Sequence, residues 1–99
     1  IIGVWSTEDG DNSQVEFEKD EEGLWHGTIT STDVTRSIGK LLFTEGTYNA
    51  EDNEIKGKLI HPDSGFRVNG TLSFEDNEQT LKVFAQKLFV FKTFYWKRL

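Results

Sequence analysis

The chain has 99 residues, enough for one hydrophobic core and too few for two, and 13% of them are aromatic, so rings must supply much of the burial. Its net charge of −6 opposes phosphate backbones and anionic membrane surfaces, so nucleic acid is not expected as a partner. The absence of cysteine excludes a disulfide framework, a thiol nucleophile and a cysteine-ligated zinc, and no apolar run approaches the roughly 20 residues that cross a bilayer as a helix.

Taken in order, Gly3-Val4-Trp5-Ser6 opens a short strand that stops at the turn formers Glu8, Asp9, Gly10, Asp11 and Asn12. Residues 14–19 alternate, with Val15 and Phe17 on one side and Glu16 and Glu18 on the other. An acidic turn, Asp20-Glu21-Glu22-Gly23, leads to a third strand from Trp25 to about Ser31 that carries Trp25, Gly27 and Ile29 on one face. The longest polar connection, 32–39, contains Arg36 and precedes a fourth strand over 40–49 and a turn at 50–53.

The clearest signal lies between Glu54 and Phe74. Ile55, Gly57 and Leu59 alternate with lysines, and Val68, Gly70, Leu72 and Phe74 alternate with polar residues. Period two with polar intervals gives two half-buried antiparallel strands, and Pro62-Asp63-Ser64-Gly65 supplies the turn chemistry between them. After a turn at 75–78, Leu81, Val83 and Ala85 mark one face of a seventh strand over 80–86, and an eighth runs over 91–98.

No segment carries the 3.6-residue apolar repeat of a long helix, so the expected class is all-β. Consecutive hairpins without a long crossover favour an eight-stranded antiparallel up-and-down barrel over a sandwich, because closure removes exposed edges. Such a meander puts the connections near 7–13, 32–39, 62–65 and 86–90 at one end. The short acidic turns and both termini lie at the other. The inward set then includes Trp5, Phe17, Trp25, Val68, Leu72, Phe74, Phe94 and Trp96. Gly27, Gly57, Gly70 and Ala85 either leave room beside these rings or serve as their small packing partners. The expectation is a filled lower half and a shallow apolar mouth.

Gly3-x-Trp5, Trp25-x-Gly27-x-Ile29, Gly57-x-Leu59-x-His61-Pro62-x-x-Gly65, Leu81-x-Val83 and Trp96-x-Arg98, in that order, resemble a bacterial family known as domain of unknown function 2147. The family's hairpin usually carries an aspartate before the proline, where this chain has His61, and its connection after the third strand is usually longer. The resemblance implies a lipocalin-like (calycin) barrel, a secreted or periplasmic location and no particular activity. It also implies that Trp5 plugs the closed end with Arg98 of the last strand lying across its ring, a closure to which Trp96 belongs. A cation–π contact of this kind contributes about 0.5–2 kcal/mol. The chain begins at Ile1 and contains no methionine, so a processed or trimmed product is expected, signal-peptide removal being one route to it.

Catalysis finds few candidates. There is no Gly-x-Ser-x-Gly elbow, and most of the 17 carboxylates fall in turns or on outward faces, where solvation accounts for them. His26 alternates outward and reads as a surface histidine. His61, next to Pro62 and Asp63, reads first as a turn cap and second as a functional group. Asp9-x-Asp11-x-Ser13 imitates a calcium loop but has Gln14 where glycine is needed, so no metal is expected, and nothing calls for a cofactor.

The leading expectation is therefore a non-enzymatic barrel that binds a small apolar or amphipathic ligand at its open end. The ligand-facing candidates are Trp25, Arg36, His61, Phe89, Phe91 and Phe94, and the chain is a monomer or weak homodimer. The run Leu88-Phe89-Val90-Phe91 is apolar where a connection should be polar. It either folds back over the mouth or forms an exposed patch, so a protein-interaction module using that tip is the alternative. A hydrolase of envelope polymers, which would need two converging carboxylates or His61 with one, comes third.

Overall fold

A computed structural model describes residues 3–8, 12–75 and 77–99. Eight antiparallel strands form a closed barrel in sequence order: β1 (Gly3–Ser6), β2 (Gln14–Lys19), β3 (Trp25–Ser31), β4 (Leu41–Asn49), β5 (Glu54–Ile60), β6 (Arg67–Glu75), β7 (Thr80–Lys87) and β8 (Val90–Arg98). The expected up-and-down connectivity is what the chain adopts. Each strand pairs with its sequence neighbour, and β1 closes the barrel against β8 through Trp5 opposite Arg98 and Ser6 opposite Lys97. A single 3₁₀ turn, Thr35–Ser37, interrupts the long β3–β4 connection, and no helix among the described residues is long and apolar enough to cross a membrane.

The lower half is solid. Trp5, Val15, Phe17, Phe43, Ile55, Leu72, Leu81, Val83 and Trp96 form one buried cluster, with Trp25, Leu42, Leu59 and Phe74 packed against it. Phe17 meets the Phe43 ring edge-on and lies tilted against Trp96, at centroid distances of 6.1 and 6.2 Å. Such separations suit the ring quadrupoles better than face-to-face stacking.

Strand β4 departs from simple alternation. Moving from Gly27 to Thr28 on β3 takes the pairing from Phe43 to Leu41, so Leu42 is an extra residue, and Leu42 and Phe43 both pack on the core. A second irregularity lies at Glu45, whose φ is +57°, and it shifts the register against β3 and β5 alike. Bulges of this kind bend a strand locally and sharpen its twist.

The inward glycines are packing partners rather than empty space. A Cβ on Gly57 would stand 2.5 Å from the Thr44 carbonyl oxygen and 2.7 Å from the Phe43 ring. Gly27 receives Phe17 and Gly70 receives Leu59 in the same way. Of the four small residues, only Ala85 lines open volume.

Candidate functional site

Above the solid half the barrel opens into a cup of about 700 Å³, within the roughly 300–1,000 Å³ usual for small-molecule sites. This is deeper than the shallow mouth expected from the number of rings. The rings gather low in the barrel, where the glycines let them pack, and leave the upper strands to smaller side chains. Ile29, Val83 and Trp96, all buried, make the floor. Leu42, Leu59, Val68 and Ala85, half-buried, make the wall, and Phe94 keeps 40% of its surface exposed on the inner face of β8.

Polar groups ring the mouth. On one side the Ser13 hydroxyl donates to Thr32 Oγ1 at 2.9 Å, and Thr7 donates its backbone N–H to the Ser13 carbonyl at 3.0 Å. On the other, the 3₁₀ turn and the β5–β6 loop are tied together. Arg36 reaches Asp63 at 3.3 Å, and Lys40 Nζ donates to the Pro62 carbonyl at 2.9 Å.

His61 caps its own loop, as the sequence led one to expect. Its Nδ1 accepts from the backbone N–H groups of Asp63 and Ser64 at 3.2 and 3.4 Å, leaving Nε2 as the ring's donor. The loop closes with His61 N–H donating to the Phe66 carbonyl and Gly65 N–H to the His61 carbonyl, Gly65 having φ +75°.

Of the six ligand-facing candidates, the cup brings together Arg36, His61 and Phe94. Trp25 begins β3 at the far end, packed on the core with Lys19 Nζ 5.8 Å from its ring centroid, and does not line the cup. Phe89 stands 93% exposed at the β7–β8 turn, and the run around it does not fold over the mouth. Phe91 lies on the outer wall, stacked on Phe84 at 5.7 Å. Trp5 and Arg98 meet at the seam, with the guanidinium carbon 4.3 Å from the Trp5 ring centroid, whereas Trp96, expected beside them, lies higher and forms part of the cup floor.

Two features escaped the sequence reading. Lys92 lines the cup, and its signal was available, since it shares a face of β8 with Phe94 and Trp96. His26 is more than a surface histidine. Its Nε2 lies 2.6 Å from Asp20 and its Nδ1 2.7 Å from the Thr44 hydroxyl, bracing the outside of β3.

Chemically the cup is a binding surface with few reactive groups. Among the described residues Asp63 is the one carboxylate lining it, and it is engaged by Arg36, so no second carboxylate converges with it on a bound chain. No three metal-ligating side chains cluster among the described residues. The calcium-like Asp9 and Asp11 lie outside the described residues. Set against protein-family models, curated proteins and solved structures, the chain matches none.

Proposed function

We propose that this protein binds a small apolar or amphipathic molecule in the cup without transforming it, acting as a carrier or sequestering protein outside the cytoplasm. The observation that carries this reading is the wet apolar wall. Leu42, Leu59, Val68 and Phe94 are only partly buried inside a concave space of about 700 Å³. Covering such surface gains about 25 cal/mol per Å². A solid lower half beneath an open upper half is also what a preformed site requires, since little ordering remains to oppose binding. Membership of the domain of unknown function 2147 family and a secreted or periplasmic location belong to the same proposal, supported by the motif order from Gly3-x-Trp5 to Trp96-x-Arg98.

The test is uptake of N-phenyl-1-naphthylamine, a neutral probe whose fluorescence rises in apolar surroundings. Wild type should bind it with saturation, and Ala85→Trp, which fills the cup from the wall, should lose binding while keeping its circular dichroism. Equal uptake by both proteins, or none by wild type, would overturn the reading.

A second reading, a protein-interaction tip, is favoured by one observation. Leu88 holds a φ of +55° at a hairpin turn where glycine is preferred, beside the exposed Phe89. Sedimentation over a concentration series, with the double substitution Phe89→Ser and Phe91→Ser as comparison, tests for self-association through it.

A further inference from the structure

Strand β8 inverts the usual distribution of polarity in its upper part. Lys92 pairs with Ala85 and Phe94 with Val83, so 92, 94 and 96 face inwards while Phe91, Thr93 and Tyr95 face solvent. A lysine serving solubility alone would sit on the outer face and leave the inner face to Phe91 or Tyr95. Here the cation is inside and the rings are outside. Lys92 also borders a small recess shared with Val68, Ala85, Gln86, Lys87 and Val90.

The charge balance at the mouth is equally specific. The chain carries 17 acidic against 11 basic side chains, yet the described cup lining holds Arg36 and Lys92 against the single carboxylate of Asp63. Asp63 is taken by Arg36, with both side chains more than half exposed. Among the described residues Lys92 has no carboxylate within ion-pairing distance, and its one close contact of this kind is the Phe94 ring at 5.2 Å. Beside the lining stand two further cations, Lys87 with Nζ 3.9 Å from the Phe66 ring centroid and Lys40 bound to the Pro62 carbonyl, and two carboxylates, Glu8 and Asp33, the latter accepting from Asn12 on the far rim. A concave, low-dielectric wall focuses the field of such cations into the opening.

We propose that the cup selects single-chain amphiphiles with an anionic head, the head meeting Lys92 and Arg36 at the mouth and the chain lying on Leu59, Phe94, Val83 and Trp96. This rests on the binding reading above and adds the charge of the ligand to it. Trp96 lies four residue steps beyond Lys92 on β8, about 13 Å at the usual strand rise of ~3.3 Å per residue, and less along the axis of a tilted barrel. A chain of medium length therefore reaches the floor when its head is at Lys92. The shared chemistry is a monoanionic or dianionic oxyanion head, supplied either by a carboxylate or by a phosphate monoester. Ammonium and guanidinium groups serve both, the guanidinium offering two parallel N–H donors.

The experiment is calorimetric titration with four probes of equal chain length, used below their micelle concentrations: dodecanoate, monododecyl phosphate, dodecanol and dodecyltrimethylammonium. Wild type should bind one or both anions about tenfold more tightly than dodecanol, and the cation most weakly. The tighter anion identifies the source of the head. Lys92→Gln should weaken the anions about fivefold, the effect of one partly screened charge pair, and leave dodecanol within about twofold. Asp63→Asn releases Arg36 and removes a like charge from the mouth, so it should tighten the anions and leave dodecanol within about twofold. Equal affinity for dodecanoate and dodecanol in wild type, or equal losses for every probe in Lys92→Gln, would overturn the charge selection while leaving the carrier reading intact. Binding of none of the four probes would overturn both.

Discussion

Arg98 and Trp5 are direct cross-strand partners at the seam that closes the barrel, and the Arg98 guanidinium lies over the Trp5 indole at 4.3 Å. Its Nε also donates to the Glu78 carbonyl at 3.0 Å, so one side chain joins β8, β1 and the β6–β7 turn. Gly3 makes room for it, because a Cβ there would stand 2.8 Å from the guanidinium, and its φ of +128° suits glycine alone. Arg98→Ala removes the cation–π contact and the hydrogen bond together. It should cost about 1–3 kcal/mol of unfolding free energy by urea titration, with probe uptake in the cup unchanged. Arg98→Lys should recover only part of the loss, because an ammonium lacks the planar stacking surface.

Gly57 makes a different prediction about the same core. An added Cβ meets the Thr44 backbone oxygen, which cannot rotate away, as well as Phe43 and Gly46. Gly57→Ala should therefore destabilise by about 1–3 kcal/mol, although alanine suits an ordinary strand better than glycine does. A stability equal to or above that of wild type would show that β4 and β5 can separate without loss.

The strands and their order were legible because hydrophobic alternation and turn residues agree along most of the chain, most plainly through Ile55, Leu59, Val68 and Leu72. The seam was legible through Trp5 and Arg98. Phe43 was not, since the bulges on β4 put Leu42 and Phe43 inside in succession and a period-two pattern has no place for consecutive inward residues. For Trp25 alternation gives the right face but not the height. Alternation reports which side a residue faces, whereas height comes from its distance to a turn, and Trp25 follows the lower one. Lys92 is hard to place from sequence because a lysine reads as outward whatever its neighbours. The phase set by Phe94 and Trp96 carried the better information.

Asp20 governs an acid-sensitive brace on the outer wall. Its carboxylate is held below the ordinary aspartate value of 3.8, first by the hydrogen bond with His26 and then by the backbone N–H groups of Leu24 and Glu22. Because the folded value is depressed, the ionised form is favoured by folding. Its contribution is complete above the unfolded value and is lost as pH falls through the folded one. Asp20→Asn should lower Tm relative to wild type above about pH 5, and the difference should narrow as pH falls below the ordinary aspartate value and the wild-type carboxylate protonates. A difference that persists undiminished in acid would mean that the asparagine disturbs the 20–24 turn itself, independently of charge.

The β7–β8 turn is strained at Leu88, because a two-residue hairpin loop calls for a left-handed residue and glycine is absent there. Lys87 pairs with Val90, leaving Leu88 and Phe89 as a two-residue loop in which Leu88 takes φ +55° with 80% of its surface exposed. A left-handed conformation costs an L-residue roughly 1–2 kcal/mol, and an exposed leucine regains little of this by packing. Leu88→Gly should therefore raise the unfolding free energy by about 1 kcal/mol, read by urea denaturation at neutral pH. Carrier and interaction readings part company at this variant. If the cup alone serves function, Leu88→Gly binds probes as wild type does and is simply more stable. If the tip is an interaction surface, the same variant gains stability but loses association, and the strain at Leu88 is then the cost of presenting an apolar side chain to a partner.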